Sequence, residues 1–333
     1  MDEGADEIVQ GEAALIEQYL APLTEGDPGA FSLTDDCALL RPPAGKDLIL
    51  TTDSLVEGIH FLVGDVTGFK AVAVNVSDLV AKGAEPLGYL LTLALAETPT
   101  RKFMTKLTAG LAAAQSVFGC HLLGGDTDKT GGPLTLTVTA IGALPAGTVV
   151  RRAGAATGDI VYISGSIGDA TLGLRLRLDP ELAPNLGLSR SEVSALLARF
   201  DQPRPPVALA PALRQYASAA MDVSDGLAKD FLTLCRVSAV GGDLDLMAVP
   251  LSPGARRAIA SGRIDRQHLI TGGEDYEVLA TVPAPRAAEF EAAAARAGVT
   301  VSRAGRIRSE GGVRFLDAEG NSVRLAATGL EHI

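Results

Sequence analysis

Six aspartates lie at or near the ends of apolar runs, where a folded chain can bring them together: Asp36, Asp53, Asp78, Asp126, Asp222 and Asp225. Carboxylates gathered without basic partners repel one another, and their pKa values rise. A divalent cation relieves this repulsion, and Mg²⁺ prefers oxygen ligands of this kind. Cations held in this way can bind anionic phosphates. The residue types therefore indicate magnesium-dependent phosphoryl chemistry.

Hydroxyl and glycine neighbours strengthen this interpretation. Thr51 and Thr52 precede Asp53 at the end of an apolar run, where open sheets commonly place their ligands. Gly125 precedes Asp126, and a glycine lets the backbone approach a ligand closely. These neighbours add oxygen ligands and space to the carboxylates.

Three further segments could bind phosphate or substrate. Ser224 lies between two of the aspartates at a strand-to-helix turn, where helix-start amides suit a phosphate. In so acidic a chain, Arg152 could hold a nucleotide phosphate. Glu274 follows two glycines just before an apolar strand. These segments are candidates for substrate contacts.

Each motif also has an ordinary structural interpretation. Asp53 could lie in a turn or cap a helix, Asp78 could face solvent on a helix, and Asp225 could cap the next helix. The glycine pairs before Asp126 and Glu274 could form simple turns. Taken one at a time, the motifs leave these alternatives open.

Composition limits the possible partners and compartment. The 333 residues carry 29 Lys and Arg against 40 Asp and Glu, a net charge of −11, and no basic stripe. We therefore expect no nucleic-acid partner. The spacing of Cys37, Cys120 and Cys235 favours neither disulfides nor a zinc site, which suits a cytoplasmic protein. No export signal or membrane-spanning run is evident, so we expect no membrane partner.

Hydrophobic periodicity predicts a layered α/β protein. A cluster of Pro and Gly within Leu144–Gly158 predicts a boundary between two domains, residues 1–147 and 148–333. The elements predicted in the first domain are a strand Asp47–Thr52, a helix from Phe69 to Gly83, a strand Leu87–Leu95, a helix Thr100–Gly119, a turn at Gly124–Asp126 and a strand Pro133–Gly142. In the second domain, strands are predicted at Ile160–Ser164, Ala219–Val223, Tyr276–Val282 and Val299–Ser302. Helices are predicted there at Ala170–Leu178, Pro206–Ala217, Gly226–Ser238 and Arg286–Ala297, with a surface loop at Leu182–Arg190.

Eight ordered blocks together resemble the thiamine-monophosphate kinase family, within the AIR-synthetase-like ATP-binding superfamily. In chain order they are SLTDDCALL, TTDSLVEGIHF, AVNVSDLVAKGAEP, GGDTD, RRAGA, SGSIGDA, MDVSDGLAKD and TGGEDYE. The resemblance covers almost the whole chain. It implies direct, in-line transfer of the γ-phosphoryl group of ATP to thiamine monophosphate, assisted by several Mg²⁺ ions. It also implies two AIR-synthetase-like α/β domains and a homodimer in which the N-terminal sheets pair.

The resemblance also assigns roles to residues, none of them a covalent catalyst. The implied magnesium ligands are Asp36, Thr51, Thr52, Asp53, Asp78, Asp126, Asp222 and Asp225. The implied ATP contacts are Gly125, Asp126, Arg152 and Ser224. The implied contacts to the thiamine moiety are His60, Glu274 and Leu330.

Two positions depart from the family pattern. Thr34 stands where the family has a glycine, and Leu330 stands where it has an aromatic residue. Leu330 can offer apolar contact but not ring stacking, so we expect an effect on acceptor affinity rather than on reaction type. The rival hypotheses are another ATP-dependent phosphoryl transferase or synthetase of the superfamily, and a cation-binding module without turnover.

Overall fold

The computed structural model describes residues 6–326, 328 and 329. They divide into two units, each with its own β-sheet. The first comprises the described residues up to Leu79 together with Glu85–Gly147. The second comprises Val80–Ala84 together with the described residues from Thr148 onward.

The first unit places its longer helices between strands. In chain order, its elements are α1 (Glu12–Leu15), β1 (Lys46–Val56), α2 (Gly68–Ala81, whose last two residues belong to the second unit), β2 (Glu85–Leu95), α3 (Arg101–Phe118), β3 (His121–Lys129) and β4 (Thr135–Pro145). Irregular helical turns connect α1 to β1: a π-helical turn at Ile16–Leu20 and 3-10 turns at Ala21–Thr24 and Pro28–Leu33.

The sheet of the first unit has the order β1-β4-β2-β3. β4 pairs antiparallel with β1 and β2, and β3 pairs parallel with β2. Alternate side chains face opposite sides. Val138 and Leu93 are fully buried, and the Tyr89 hydroxyl donates to Gln115 of α3 at 3.1 Å, so the helices cover this face. On the other face Leu50 is 64% exposed.

The predicted helices of the first unit are confirmed. Apolar residues at three- and four-residue spacing along α2 are buried, among them Val72, Val76 and Leu79. The Thr100 hydroxyl accepts a hydrogen bond from the Phe103 amide at 3.2 Å and caps α3, which ends at Gly119 with φ 68°.

Two predictions of local structure near the aspartates were wrong. β1 continues to Val56, so Asp53 lies within the strand and pairs in register with Val138. The turn predicted at Gly124–Asp126 is part of β3, where Asp126 lies beside Thr92 of β2. In both cases pairing with a neighbouring strand extends the β conformation through residues that locally favour a turn.

The second unit is larger and more helical. Its elements are β5 (Ile160–Ser164), α4 (Asp169–Leu178), α5 (Leu182–Asn185), α6 (Arg190–Asp201), α7 (Ala210–Tyr216), β6 (Ala219–Val223), α8 (Leu227–Val237), β7 (Gly241–Asp245), α9 (Pro253–Ala260), α10 (Arg266–Thr271), β8 (Glu277–Val282), α11 (Ala287–Arg296), β9 (Val301–Arg308), β10 (Val313–Leu316) and β11 (Ser322–Val323).

Two hydrophobic cores stabilise this unit. The sheet has the order β11-β10-β7-β9-β5-β8-β6, and Val161, Ile163 and Leu279 from its central strands pack with Phe231 of α8. A smaller core forms among α4, α6 and α9, where Leu172 is fully buried. The layered α/β class predicted from the sequence is therefore confirmed.

The sequence predicted β5 and β6 with their observed bounds, and α4, α8, α11 and β8 within one residue at each end. It missed α6. The Ser189 hydroxyl accepts from the Glu192 amide, while the Glu192 carboxylate accepts from the Ser189 amide, which forms a capping box. The surface loop predicted at Leu182–Arg190 was wrong, because α5 and the start of α6 lie in it. No described helix has the length and apolar composition needed to cross a membrane.

Candidate functional site

In the first unit, β1 and α2 bring three of the candidate positions together. The Thr51 hydroxyl donates to Asp78 Oδ2 at 2.7 Å. The Asp53 amide donates to Asn75 Oδ1 at 2.9 Å, and Asn75 is fully buried. Asp78 therefore faces β1, which rules out the solvent-facing helix position as its explanation. Thr51, Asp53 and Asp78 supply oxygens on the helix-covered side of the sheet.

Thr52 points to the opposite side of β1, because side chains alternate along a strand. Its hydroxyl lies 3.0 Å from the Thr139 hydroxyl and donates to the Val138 carbonyl at 3.2 Å. Thr139 lines a cavity of about 580 Å³ together with Asp36 and Asp126. The first unit thus presents its candidate oxygens in two groups, one on each face of the sheet.

Gly125 occupies a position in β3 that no other residue can take. Its φ is +154°, and a Cβ placed on it would lie 1.8 Å from the Leu91 carbonyl oxygen. From the sequence, we expected Gly125 to let the backbone approach a ligand closely. The structure shows close approach of the neighbouring strand β2, and Gly125 also lines the 580 Å³ cavity.

In the second unit, Asp222 lies in β6 and Asp225 lies in the turn that leads to α8. Asp222 is only 3% exposed. Asp225 Oδ2 forms an ion pair with Lys229 Nζ at 2.9 Å. The N-cap residue of α8 is Gly226, which has no side chain to cap the helix. Asp225 is therefore not the N-cap residue of α8, the position that the sequence suggested for it.

A third acid, Asp230, belongs to the same cluster and was not singled out from the sequence. It is 3% exposed, and its Oδ2 accepts a hydrogen bond from the Asp225 amide at 3.2 Å. Burial, together with the charges of Asp222 and Asp225, raises the pKa of Asp230 to about 8. Arg152 lowers that pKa, so its guanidinium lies within electrostatic reach of the cluster. No spacing in the sequence signals Asp230, because its place in the cluster depends on burial beside Asp222.

The loop before β8 brings Glu274 to the same cluster. The Glu274 amide donates to the Ser224 carbonyl at 2.8 Å, and the Tyr276 amide donates to the Val223 carbonyl at 2.8 Å. Glu274 and Tyr276 have φ values of 68° and 50°, which side chains other than glycine rarely adopt. The second unit therefore joins Ser224, Glu274 and the acidic cluster in one region.

His60 lies in the loop after β1. The Val56 amide donates to His60 Nδ1 at 3.0 Å, which leaves Nε2 as the donor nitrogen of the ring. The His60 carbonyl accepts from the buried Lys70 Nζ at 3.0 Å. These two hydrogen bonds fix the His60 ring and its loop. The loop lies at the surface, since the adjacent Ile59 is 71% exposed.

Some of the predicted site lies beyond these groups. Leu330 is outside the described residues. Within the described part of the chain, no three His, Cys, Asp or Glu side chains are arranged so that they could hold a metal ion. The acids instead stand in smaller groups, paired with hydroxyls, backbone amides or Lys229.

Comparison with known families identifies the class of this fold. Residues 34–144 match the N-terminal domain of AIR synthase related proteins, and residues 156–317 match their C-terminal domain. The two α/β units and their oxygen-rich groups thus define a two-domain protein of the AIR-synthase-related class.

Individual relatives narrow this class. Thiamine-monophosphate kinase from Caulobacter vibrioides is 40% identical over 316 residues, which cover 92% of this chain and 84% of that protein. The crystal structure of thiamine-monophosphate kinase from Stenotrophomonas maltophilia K279a has a TM-score of 0.76 at 34% identity, covering 87% of this chain and 90% of that one. The chain belongs to the thiamine-monophosphate kinase family.

One similar structure carries ligands. It is AaThiL complexed with AMPPCP and TMP, with 30% identity and a TM-score of 0.75 over 97% of each chain.

Proposed function

We propose that this protein is a kinase that transfers the γ-phosphoryl group of ATP to thiamine monophosphate, producing thiamine diphosphate and ADP. One observation carries the proposal: a relative that matches 97% of the chain has been solved with an ATP analogue and TMP together. The family of the chain, shown by curated kinases at 40% and 35% identity, agrees with this function.

The charges of the two substrates explain why the chain gathers acids. ATP and thiamine monophosphate are both phosphate anions, and they must meet for direct transfer. The candidate ligands are carboxylates and hydroxyls, which fit Mg²⁺ by their donor chemistry. When bound, Mg²⁺ would neutralise phosphate charge and favour an in-line arrangement of the reacting groups. We propose that the ligands are Asp36, Thr51, Thr52, Asp53, Asp78, Asp126, Asp222 and Asp225.

Contacts within the first unit prepare these ligands. The Thr51 hydroxyl fixes one oxygen of Asp78, and Asn75 holds the backbone at Asp53. Carboxylates fixed in this way lose little freedom when they bind a cation, so they favour binding. Direct transfer needs no side chain that forms a bond to the phosphoryl group.

Substrate contacts are assigned to both units. We propose that Gly125, Asp126, Arg152 and Ser224 contact ATP. The Arg152 guanidinium can form paired hydrogen bonds with a phosphate. We propose that His60, Glu274 and Leu330 contact the acceptor, because a carboxylate such as Glu274 attracts the positively charged thiazolium ring.

We further propose how the chain is organised. Residues 1–147 would form the N-terminal domain, which carries ligands and pairs in a homodimer, and residues 148–333 the C-terminal domain. β1 pairs only with β4 among the described strands, and the exposed Leu50 lies on the open face of that sheet. Both features suit pairing with a second copy. Free Cys37, Cys120 and Cys235 suit a cytoplasmic location.

An acceptor panel tests the proposed function. The protein is incubated with ATP and Mg²⁺ and with either thiamine monophosphate or thiamine, and ADP and the phosphorylated product are measured by chromatography. We expect ADP and thiamine diphosphate in equal amounts from thiamine monophosphate alone. Turnover of a different acceptor would favour another enzyme of the superfamily. Metal binding without nucleotide binding or turnover would favour a cation-binding module.

A further inference from the structure

The loop that carries Glu274 is anchored by the next residue, Asp275. Asp275 is 1% exposed, and both of its carboxylate oxygens accept hydrogen bonds from the Gly168 amide at 2.9 Å. The Ala170 amide adds a further hydrogen bond. Gly168 immediately precedes α4. Asp275 therefore caps the N-terminus of α4, although it lies 107 residues after Gly168 in the chain.

The backbone of Asp275 is held as well as its side chain. The Arg199 guanidinium donates to the Asp275 carbonyl at 3.1 Å. On either side of Asp275, Glu274 and Tyr276 have the positive φ values that non-glycine residues avoid, because Cβ approaches the following carbonyl oxygen. Such a conformation persists only where its surroundings enforce it. The hydrogen bonds of Asp275 are part of that enforcement.

Burial makes the ionised form of the Asp275 carboxylate unfavourable. Arg199 directs its ion pair to Glu277 Oε1 at 2.6 Å, and the nearby Asp169 is a second buried acid. Burial, with a smaller effect from the charge of Asp169, raises the pKa of Asp275 to about 8, although the Gly168 amide and Arg199 act in the opposite direction. A buried acid without its own ion pair contributes little to folding stability. The clearest effect of the Asp275 carboxylate is local: its hydrogen bonds attach the loop to α4.

We propose that Asp275 is a positioning residue for acceptor recognition. By capping α4, it holds Glu274 in the backbone conformation in which the Glu274 carboxylate contacts the thiamine moiety. This inference rests on the proposed function, in which Glu274 binds the acceptor while Gly125 and Arg152 bind ATP. Loss of the anchor should therefore weaken acceptor binding more than ATP binding.

Steady-state kinetics of Asp275→Ala tests the proposal. We expect KM for thiamine monophosphate to rise about tenfold or more, with KM for ATP changing less than about threefold. Asp275→Asn should recover most of the acceptor affinity, because its side-chain oxygen can still accept from the Gly168 amide. Equal increases in both KM values, or a lower thermal stability with unchanged KM values, would overturn the proposal.

Ser252→Ala is the matched control. The Ser252 hydroxyl donates to Asp169 Oδ1 at 2.6 Å and accepts from the Ala255 amide at 3.1 Å as the cap of α9. This variant therefore removes a hydrogen bond beside the same helix terminus, together with the α9 cap, without touching the loop. We expect its KM for thiamine monophosphate to stay near the wild-type value. An increase as large as that of Asp275→Ala would attribute the effect to general loosening of α4 and overturn the proposal.

A double-mutant cycle tests whether Asp275 acts through Glu274. Adding Asp275→Ala to Glu274→Ala should raise KM for thiamine monophosphate no further than Glu274→Ala alone, because the positioned group is already absent. Multiplicative effects on KM would contradict the proposal.

A second variant covers the case in which Asp275→Ala fails to fold. A Cβ on Gly272 would lie 1.9 Å from the Thr171 hydroxyl oxygen of α4, so Gly272→Ala pushes the loop from the same helix without changing charge. We expect the same selective rise in KM for thiamine monophosphate. An unchanged KM for thiamine monophosphate would contradict the positioning role of Asp275 but not the proposed function. A wild-type protein that forms no thiamine diphosphate would contradict both.

Discussion

At the scale of single residues, the proposed metal ligands are distinguished from ordinary surface acids by what their side chains contact. Asp78 accepts from Thr51, and Asp36 and Asp126 line one cavity. Asp225, in contrast, is paired with Lys229, so binding a cation there requires that the ion pair opens or shares its oxygens.

Asp126→Asn tests a proposed ligand with little risk to the fold, because Asp126 is exposed and takes no part in core packing. We expect kcat for thiamine diphosphate formation to fall by about two orders of magnitude or more. The thermal unfolding midpoint should stay the same. Stopped-time assays and calorimetry measure the two quantities.

Asp128→Asn is the control for that experiment. Asp128 is an exposed acid on the same strand, two residues further on, and its Oδ1 accepts from the Lys129 amide. We expect near-normal kcat. Asp126 would be removed from the proposed ligands if its own variant also kept near-normal kcat.

Sequence reasoning found most of these residues because their types are informative, but it could not place their oxygens. The bond between Thr51 and Asp78 and the opposite direction of Thr52 depend on the register of β1 with β4 and on the rotation of α2. Asp230 was missed because its role comes from burial beside Asp222, which no local spacing encodes.

At the scale of elements, Asp243 links three neighbouring strands of the second sheet. From β7, its carboxylate accepts two hydrogen bonds from Arg314 of β10, at 2.6 and 2.8 Å, and pairs with Arg308 of β9 at 2.7 Å. The hydrogen bonds from Arg314 hold the pKa of Asp243 below its usual value of 3.8. The network is therefore strongest when the carboxylate is ionised.

Asp243→Asn should lower the free energy of unfolding at pH 7 by about 1 kcal/mol, since paired Arg contacts exceed a simple surface ion pair. A lowered pKa in the folded state stabilises the fold above the unfolded pKa, and this contribution is lost as pH falls through the folded value. The difference between wild type and variant should thus shrink below pH 3.8. Urea unfolding at several pH values measures it.

Glu310→Gln serves as the comparison, because the Glu310 carboxyl is 85% exposed and lies 3.3 Å from Arg308. We expect a much smaller change in unfolding free energy. A difference between Asp243→Asn and wild type that grows on acidification would contradict the assigned direction of the pKa shift.

Elements with strong local signals were predicted well. The Thr100 cap and the Gly119 stop gave the bounds of α3 to within one residue at each end. Elements whose bounds depend on distant partners were predicted less well. β1 runs past Asp53 because β4 continues to pair with it, and β3 includes Gly125 because β2 approaches there. The α6 capping box at Ser189 was readable from the sequence and was overlooked.

At the scale of the whole molecule, the open sheet face of the first unit predicts association. Leu50 is 64% exposed on β1, and hydroxyl pairs such as Ser54 with Thr137 lie on the same face. We expect sedimentation equilibrium to give twice the chain mass of 34.2 kDa. Leu50→Glu should shift the mass toward that of one chain, because burying a charge at an interface is unfavourable.

Leu178→Glu is the control for association, since Leu178 is 65% exposed at the end of α4 in the other unit. It should leave the mass of the assembly unchanged. A wild-type mass of one chain at micromolar concentration would contradict the homodimer.

The reaction itself is tested most directly by following the transferred group. Wild-type protein is mixed with ATP labelled at the γ-phosphate, thiamine monophosphate and Mg²⁺, and the labelled products are separated with time. Our account predicts that the label enters thiamine diphosphate, with one ADP formed per thiamine diphosphate, and that chelation of Mg²⁺ stops the transfer. Label that remains in ATP at saturating substrates, or that is released only as inorganic phosphate, would contradict it.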